Sequence, residues 1–171
     1  MNIRESLEQE HSKTQTLRIV ALIGNDTARM SALMTCFFDS DWLICQRAAW
    51  AVGLIGEKNA HLIAPYLEQM LLNLKTPQHD AIARNTMRVL RDMPDIPDDS
   101  LGLAADVSFT FLEDPTVAIA IRAFSMRVLE KICRKVPELK DELRGLIETL
   151  LEQEKAPGIV SAGRSVLKQI K

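Results

Sequence analysis

The chain has 171 residues, of which 47% are hydrophobic and 26% charged, with a formal net charge of −2. One domain's worth of sequence with that apolar content builds a continuous core, which excludes a chain too polar to fold. Aromatic residues make up only 5%, as expected where Leu, Ile, Val and Ala fill the gaps between packed helices.

In chain order, an amphipathic helix is predicted from about Ile3, running through or past Ser12 and ending at Gly24. Asn25-Asp26-Thr27 caps the next helix, whose apolar positions include Met30, Leu33, Met34 and Phe37. Asp39-Ser40-Asp41 turns the chain into a helix from Leu43 to Ile55, stopped by Gly56. Trp42, in that turn, is expected to be partly exposed, either as a contact residue or as a cover over helix ends. Residues His61 to Leu74 read as a helix with Pro65 in its opening turn, where proline is tolerated. Thr76 to Asp80 form a turn into Ala81 to Met93. Pro94-Asp95-Ile96-Pro97-Asp98-Asp99-Ser100 is the clearest break in the chain. Leu101 to Leu112, the turn Glu113 to Thr116, and Val117 to Val136 make a further pair. Glu138 to Glu152, started by Pro137, and Ile159 to Ile170 make the last. Nowhere does an alternating strand pattern persist, so the fold class is all-α.

A pentad recurs at the end of every second helix: Val20 to Gly24, Val52 to Gly56, Val89 to Met93, Val128 to Ile132 and Val166 to Ile170. Successive copies are 32, 37, 39 and 38 residues apart. Most copies carry apolar residues at the first and fifth positions, one helical turn apart on one face. Such a repeat of helix pairs predicts a right-handed α-solenoid of about four to five stacked pairs, with residues 1–171 forming a single domain. The small residues Ala48, Ala49, Ala51, Gly53, Ala81, Ala83, Ala118 and Ala120 let neighbouring second helices approach, and Trp50 is read as a packing residue.

Asp39-Ser40-Asp41, Arg47-Ala48-Ala49 and Gly53-Leu54-Ile55-Gly56 resemble the HEAT-repeat signature of an acidic inter-helix turn, a second-helix arginine, small residues and a closing glycine. Ala83-Arg84 and Ile121-Arg122 keep the arginine and lose the double alanine. Ala162-Gly163 is all that the last copy retains. The resemblance covers nearly the whole chain and implies a helical scaffold or adaptor. It further implies that Arg47, Arg84 and Arg122 pair with turn acids such as Asp39, Asp80 and Glu113.

Charge is divided between the two sets of helices. Segments 12–24, 45–56, 81–93, 118–136 and 160–171 hold 14 lysines and arginines against two acids, Asp92 and Glu130. Second helices line the concave side of a solenoid, so a basic groove and an acidic back are expected. Arg88, Arg127, Lys131, Arg134, Arg164 and Lys168, with Trp42, are the candidate partner-binding residues. Basic residues near helix C-termini also favour the helix dipole, which competes with this explanation.

No catalytic, cofactor-binding or metal-ligating residue is assigned. His11, His61 and His79 are isolated from any metal-ligand spacing, and no phosphate loop or nucleophile elbow occurs. The carboxylate pairs Asp39/Asp41, Asp98/Asp99 and Asp141/Glu142 sit at turns or helix starts, where they cap. Cys36, Cys45 and Cys133 lie in apolar stretches without Cys-x-x-Cys spacing and read as reduced core residues. The opening Met1 to Glu5 carries no apolar signal region, and no stretch reaches membrane-spanning length, so a cytoplasmic location without membrane contact is expected.

The expected function is a non-enzymatic adaptor for an acidic protein partner. The alternative is a nucleic-acid-binding module, possibly akin to the HEAT-like DNA glycosylases that remove alkylated bases, with Trp42 beside Asp39 or Asp41. The C-terminal helix, uncovered beyond Ile170, adds an expectation of self-association.

Overall fold

A computed structural model describes residues 2–171, leaving Met1 of the opening segment outside the described residues. All regular secondary structure in those residues is helical, as the all-α expectation requires. Contacts divide the chain into two compact units, Met1–Pro94 and Asp95–Lys171, and the division falls in the predicted loop.

The first unit contains α1 (Ile3–Gln9), α2 (Lys13–Ile23), α3 (Thr27–Phe37), α4 (Trp42–Lys58), α5 (Ala60–Ile63), α6 (Leu67–Asn73) and α7 (Asp80–Asp92). The first predicted helix is therefore two. Ser12 adopts an extended backbone and its hydroxyl accepts from the Gln15 N–H at 3.1 Å, so it caps α2 instead of continuing α1. Pro65 has a similar effect downstream, placing a 3₁₀ turn (Ala64–Tyr66) between α5 and α6. α4 packs against α2, α3 and α7, so second helices lie side by side and first helices pair with them.

Gly24 ends α2 with φ of 51°, a left-handed conformation that disfavours side chains, and its N–H donates to the Val20 carbonyl. Gly56 does not end its helix, contrary to the expectation above. α4 continues to Lys58, and Asn59 is its C-cap. A Cβ on Gly56 would stand 2.7 Å from Val89 Cγ2, and one on Gly53 would stand 2.3 Å from Asn85 Oδ1. These glycines let α4 and α7 approach. Ala48, Ala49 and Ala51 are likewise fully buried. Ala118, by contrast, is an exposed N-cap residue, so the small-residue rule holds for α4 better than for the later copy.

The second unit contains α8 (Leu101–Glu113), α9 (Ile119–Lys135), α10 (Lys140–Gln153) and α11 (Pro157–Gln169). α9 packs on α8 and α11, and α10 on α11. Its core joins Leu112, Leu129, Leu143, Ile147, Ile159 and Val166. The pentad pairs Val128/Ile132 and Val166/Ile170 are buried, as are Val52 and Val89/Met93 in the first unit. The earliest copy is out of register by one: Ile19 and Ile23 carry the core contact in α2, and Val20 is only half-buried. Ile170 is buried, being 2% exposed, and Arg144 Nη2 donates to its carbonyl at 2.9 Å. Among the described residues the exposed large hydrophobics are Leu17, Trp42, Leu72 and Ile119, none of them on α10 or α11.

Not every glycine is a packing device. Gly145, within α10, has nothing within 4 Å of an added Cβ and a negative φ. Gly145→Ala is expected to stabilise the protein by about 0.5–1 kcal/mol by restricting the unfolded chain, read as a raised urea midpoint with unchanged slope.

Candidate functional site

The three signature arginines behave differently from the expectation. Arg47 donates through Nη1 to the carbonyls of Leu7 at 2.6 Å and Glu8 at 3.1 Å, at the end of α1. Arg122 reaches the Leu112 carbonyl at the end of α8 from Nε and Nη2, at 3.2 and 3.1 Å. Both cations thus cap a helix C-terminus, where carbonyls lack intrahelical partners and the dipole is negative. Arg122 also forks onto Glu154, at 2.8 and 2.6 Å. Arg84 is exposed and joins neither pattern. The turn acids are engaged elsewhere. Asp39 accepts from the Asp41 N–H and from the Arg4 guanidinium, and these bonds, the backbone one foremost, hold its carboxyl below the usual range. Asp41 caps α4 through the Leu43 N–H at 2.9 Å.

Trp42 opens α4 rather than sitting in the turn before it, and it is 56% exposed. Its indole stacks on His79, with centroids 5.9 Å apart and planes 18° from parallel. His79 Nδ1 accepts from the Ala81 N–H at 3.0 Å, which fixes the ring as the N-cap of α7. Trp42 accordingly covers a helix start while keeping a free face. Trp50 is half-buried and meets His11 edge-on at 5.5 Å.

The basic candidates separate into compensated and uncompensated groups. Arg88 pairs with Glu57 and lies 3.9 Å from Asp92. On α9, Arg127 at 3.3 Å and Arg134 at 2.8 Å share the carboxylate of Glu130, which is only 7% exposed. Lys131 is half-buried on the same helix. Lys135, not among the candidates, bridges Asp95 and Asp98, both at 2.8 Å, and these bonds raise its pKa. The two acids of the second-helix set, Asp92 and Glu130, thus neutralise their own neighbours.

Arg164 and Lys168 differ. They lie on one face of α11 with Ser161 and Ser165, at positions i, i+3, i+4 and i+7. With Lys155, Pro157 and Val160 they line a shallow cleft of about 510 Å³. Arg164 and Lys168 are exposed. Lys155 donates to the Leu151 carbonyl at 3.0 Å, an interaction that leaves its charge uncompensated. No acid lines the cleft. Glu154, adjacent in sequence, is turned onto Arg122, which holds its carboxyl below the usual range. Lys155 falls outside the second helices, so a tally of those helices misses it. The Ser161/Ser165 pair was legible as an i, i+4 spacing flanking Arg164.

Burial raises the thiols of Cys36, Cys45 and Cys133, all of which are free and in the core. No group of His, Cys, Asp and Glu among the described residues is arranged to hold a metal ion, and no helix there is long and apolar enough to cross a membrane. A family model described as a HEAT repeat domain matches residues 3–170. Comparisons with curated proteins and with solved structures return no match. With buried apolar pairs recurring at each second helix and a family match spanning nearly its full length, the chain belongs to the HEAT-repeat family.

Proposed function

We propose that this HEAT-repeat chain is a non-enzymatic scaffold that binds an acidic segment of a protein partner along its second helices, with α11 making the principal contact. The observation that carries this reading is the α11 cleft, which gathers Lys155, Arg164 and Lys168 without an acid in its lining. Complementary charge at an exposed surface steers association and fixes register more than it adds affinity. Trp42, exposed on the first unit, is a second contact of the hot-spot type. The carboxylates around it are already used as caps or ion pairs, which supports a binding role over a catalytic one.

The nucleic-acid alternative draws less support. A phosphate backbone needs a run of uncompensated cations, and Arg88, Arg127, Arg134 and Lys135 each face a carboxylate of this chain. The test is fluorescence anisotropy with a labelled oligoglutamate peptide and a labelled DNA duplex, at low and near-physiological salt. Micromolar peptide binding is expected, weakened about tenfold or more by Arg164→Glu with Lys168→Glu while the melting temperature stays unchanged. Tighter binding of the duplex with a steep salt slope would replace this reading with the nucleic-acid one. Absence of any binding at low salt would refute both.

A further inference from the structure

The composition of the α11 cleft is more specific than a positive patch. It contains one guanidinium, two ammonium groups and two hydroxyls, all donors, and no competing carboxylate. We propose that it receives a phosphomonoester, the side chain of a phosphorylated serine or threonine in a peptide segment. This rests on the scaffold reading and names the chemistry of its ligand.

The donor inventory sets the ligand. A carboxylate carries one charge and two oxygens, and a single arginine fork satisfies it. A phosphomonoester carries a charge of about −1.5 to −2 at pH 7 and presents three acceptor oxygens. Arg164 supplies the planar fork that matches two of these oxygens. Ser161 precedes it by one turn of α11 and Ser165 follows it directly, so their hydroxyls flank the fork and can donate to the third oxygen. Lys155 at one end and Lys168 at the other supply the remaining positive charge. One of the Lys155 hydrogens is committed to the Leu151 carbonyl, which orients the ammonium and leaves two hydrogens for a ligand.

Glu154 is what makes the cleft a receptor. It sits next to Lys155 in the chain and would neutralise it if free. Both of its oxygens instead accept from Arg122, which is 2% exposed. The fold therefore removes the acid adjacent to Lys155 in the chain from competition. The remaining lining, Pro157 and Val160, is apolar and suits the residues flanking a modified side chain better than it suits a free anion. Arg88, Arg127 and Arg134 face carboxylates of this chain, which disfavours the tracking of a polymer of phosphates.

The experiment uses the full chain and three labelled 11-residue peptide libraries, degenerate at the flanking positions and differing only at the centre: phosphothreonine, threonine or glutamate. Anisotropy at near-physiological salt is expected to show the phosphothreonine library binding about tenfold or more tighter than the glutamate one. Arg164→Lys, which keeps the charge and loses the fork, is expected to weaken both libraries and to remove most of the phosphothreonine preference. Ser161→Ala with Ser165→Ala is expected to weaken the phosphopeptide several-fold. Equal affinity for the phosphothreonine and glutamate libraries would overturn the phosphate inference and leave the scaffold reading intact. Binding of none of the three would overturn both. Complete competition by inorganic phosphate at equal concentration would assign the cleft to a free anion and overturn the peptide part.

Discussion

Arg122→Met is expected to destabilise the protein by about 3 kcal/mol, measured by urea unfolding at neutral pH. The side chain is 2% exposed and reaches from α9 to two other helices of its unit. It satisfies the Leu112 carbonyl at the end of α8 and forks onto Glu154, the C-cap of α10. Methionine fills comparable space but leaves that carbonyl without a donor and the carboxylate without its counter-charge. The Glu154 side chain is 25% exposed, so water recovers part of the loss and the figure falls at the low end for a broken buried pair. Arg122→Lys is expected to recover little, because one ammonium cannot reproduce the fork.

The same pair gives a pH signature with a defined sign. Arg122 depresses the Glu154 carboxyl below its unfolded value, which is about 4.3. The folded state therefore binds that proton less readily than the unfolded state. The stabilisation is complete above the unfolded value and is lost as pH falls through the depressed folded value. The stability gap between the wild-type protein and Arg122→Met should then narrow as pH falls from neutral through the acid range. A gap that stays constant with pH would show that the arginine acts through packing and its carbonyl bonds alone.

Gly56→Leu is expected to cost about 3 kcal/mol, at the upper end for inserting methylenes into a packed interface. Even the first added carbon would meet Val89 Cγ2 at 2.7 Å and Val89 Cβ at 3.3 Å. Val89 is fully buried and β-branched, so in a helix it has essentially one rotamer and cannot swing aside. The cause can be isolated with a smaller pair. Gly56→Ala combined with Val89→Ala should be less destabilised than the sum of the two single variants, since the deletion removes the atoms that the new methyl strikes. Additive effects would locate the cost elsewhere, in the helix backbone or at Ile63. The equivalent change at Gly145, where nothing lies within 4 Å, has no such clash to relieve.

Gly56 also illustrates how a correct pattern can carry the wrong cause. A glycine closing an apolar pentad reads as a helix stop, and for Gly24 it is one, with a positive φ. Gly56 occupies the same place in the pattern and lies inside α4, pressed against α7. The letters near the two sites are alike; a helix elsewhere in the chain makes the difference. Ser12 shows the converse. Its capping role was available from its residue type and its break from the apolar run, but a continuous amphipathic pattern on both sides concealed it.

What the sequence determined by itself was everything carried by short-range periodicity. Apolar residues four apart recur at each second helix, which sets the helices, and the Pro- and Asp-rich run after Met93 sets the loop. These properties are local because a helix turn brings i and i+4 together whatever the rest of the chain does. The candidate site was legible only in part. Arg164 and Lys168 were named with Arg88, Arg127 and Arg134, although Asp92 and Glu130 lie within one helical turn of the latter three and no acid lies so near Arg164 or Lys168 in the chain. For two groups the tertiary structure decided: it brings Glu57, 31 residues away, to Arg88, and turns Glu154 onto Arg122, 32 residues away, whereas Glu130 meets Arg127 and Arg134 within one helical turn. Coulombic pairing depends on distance in space, and packing between helices brings together charges that a segment-by-segment sum keeps apart.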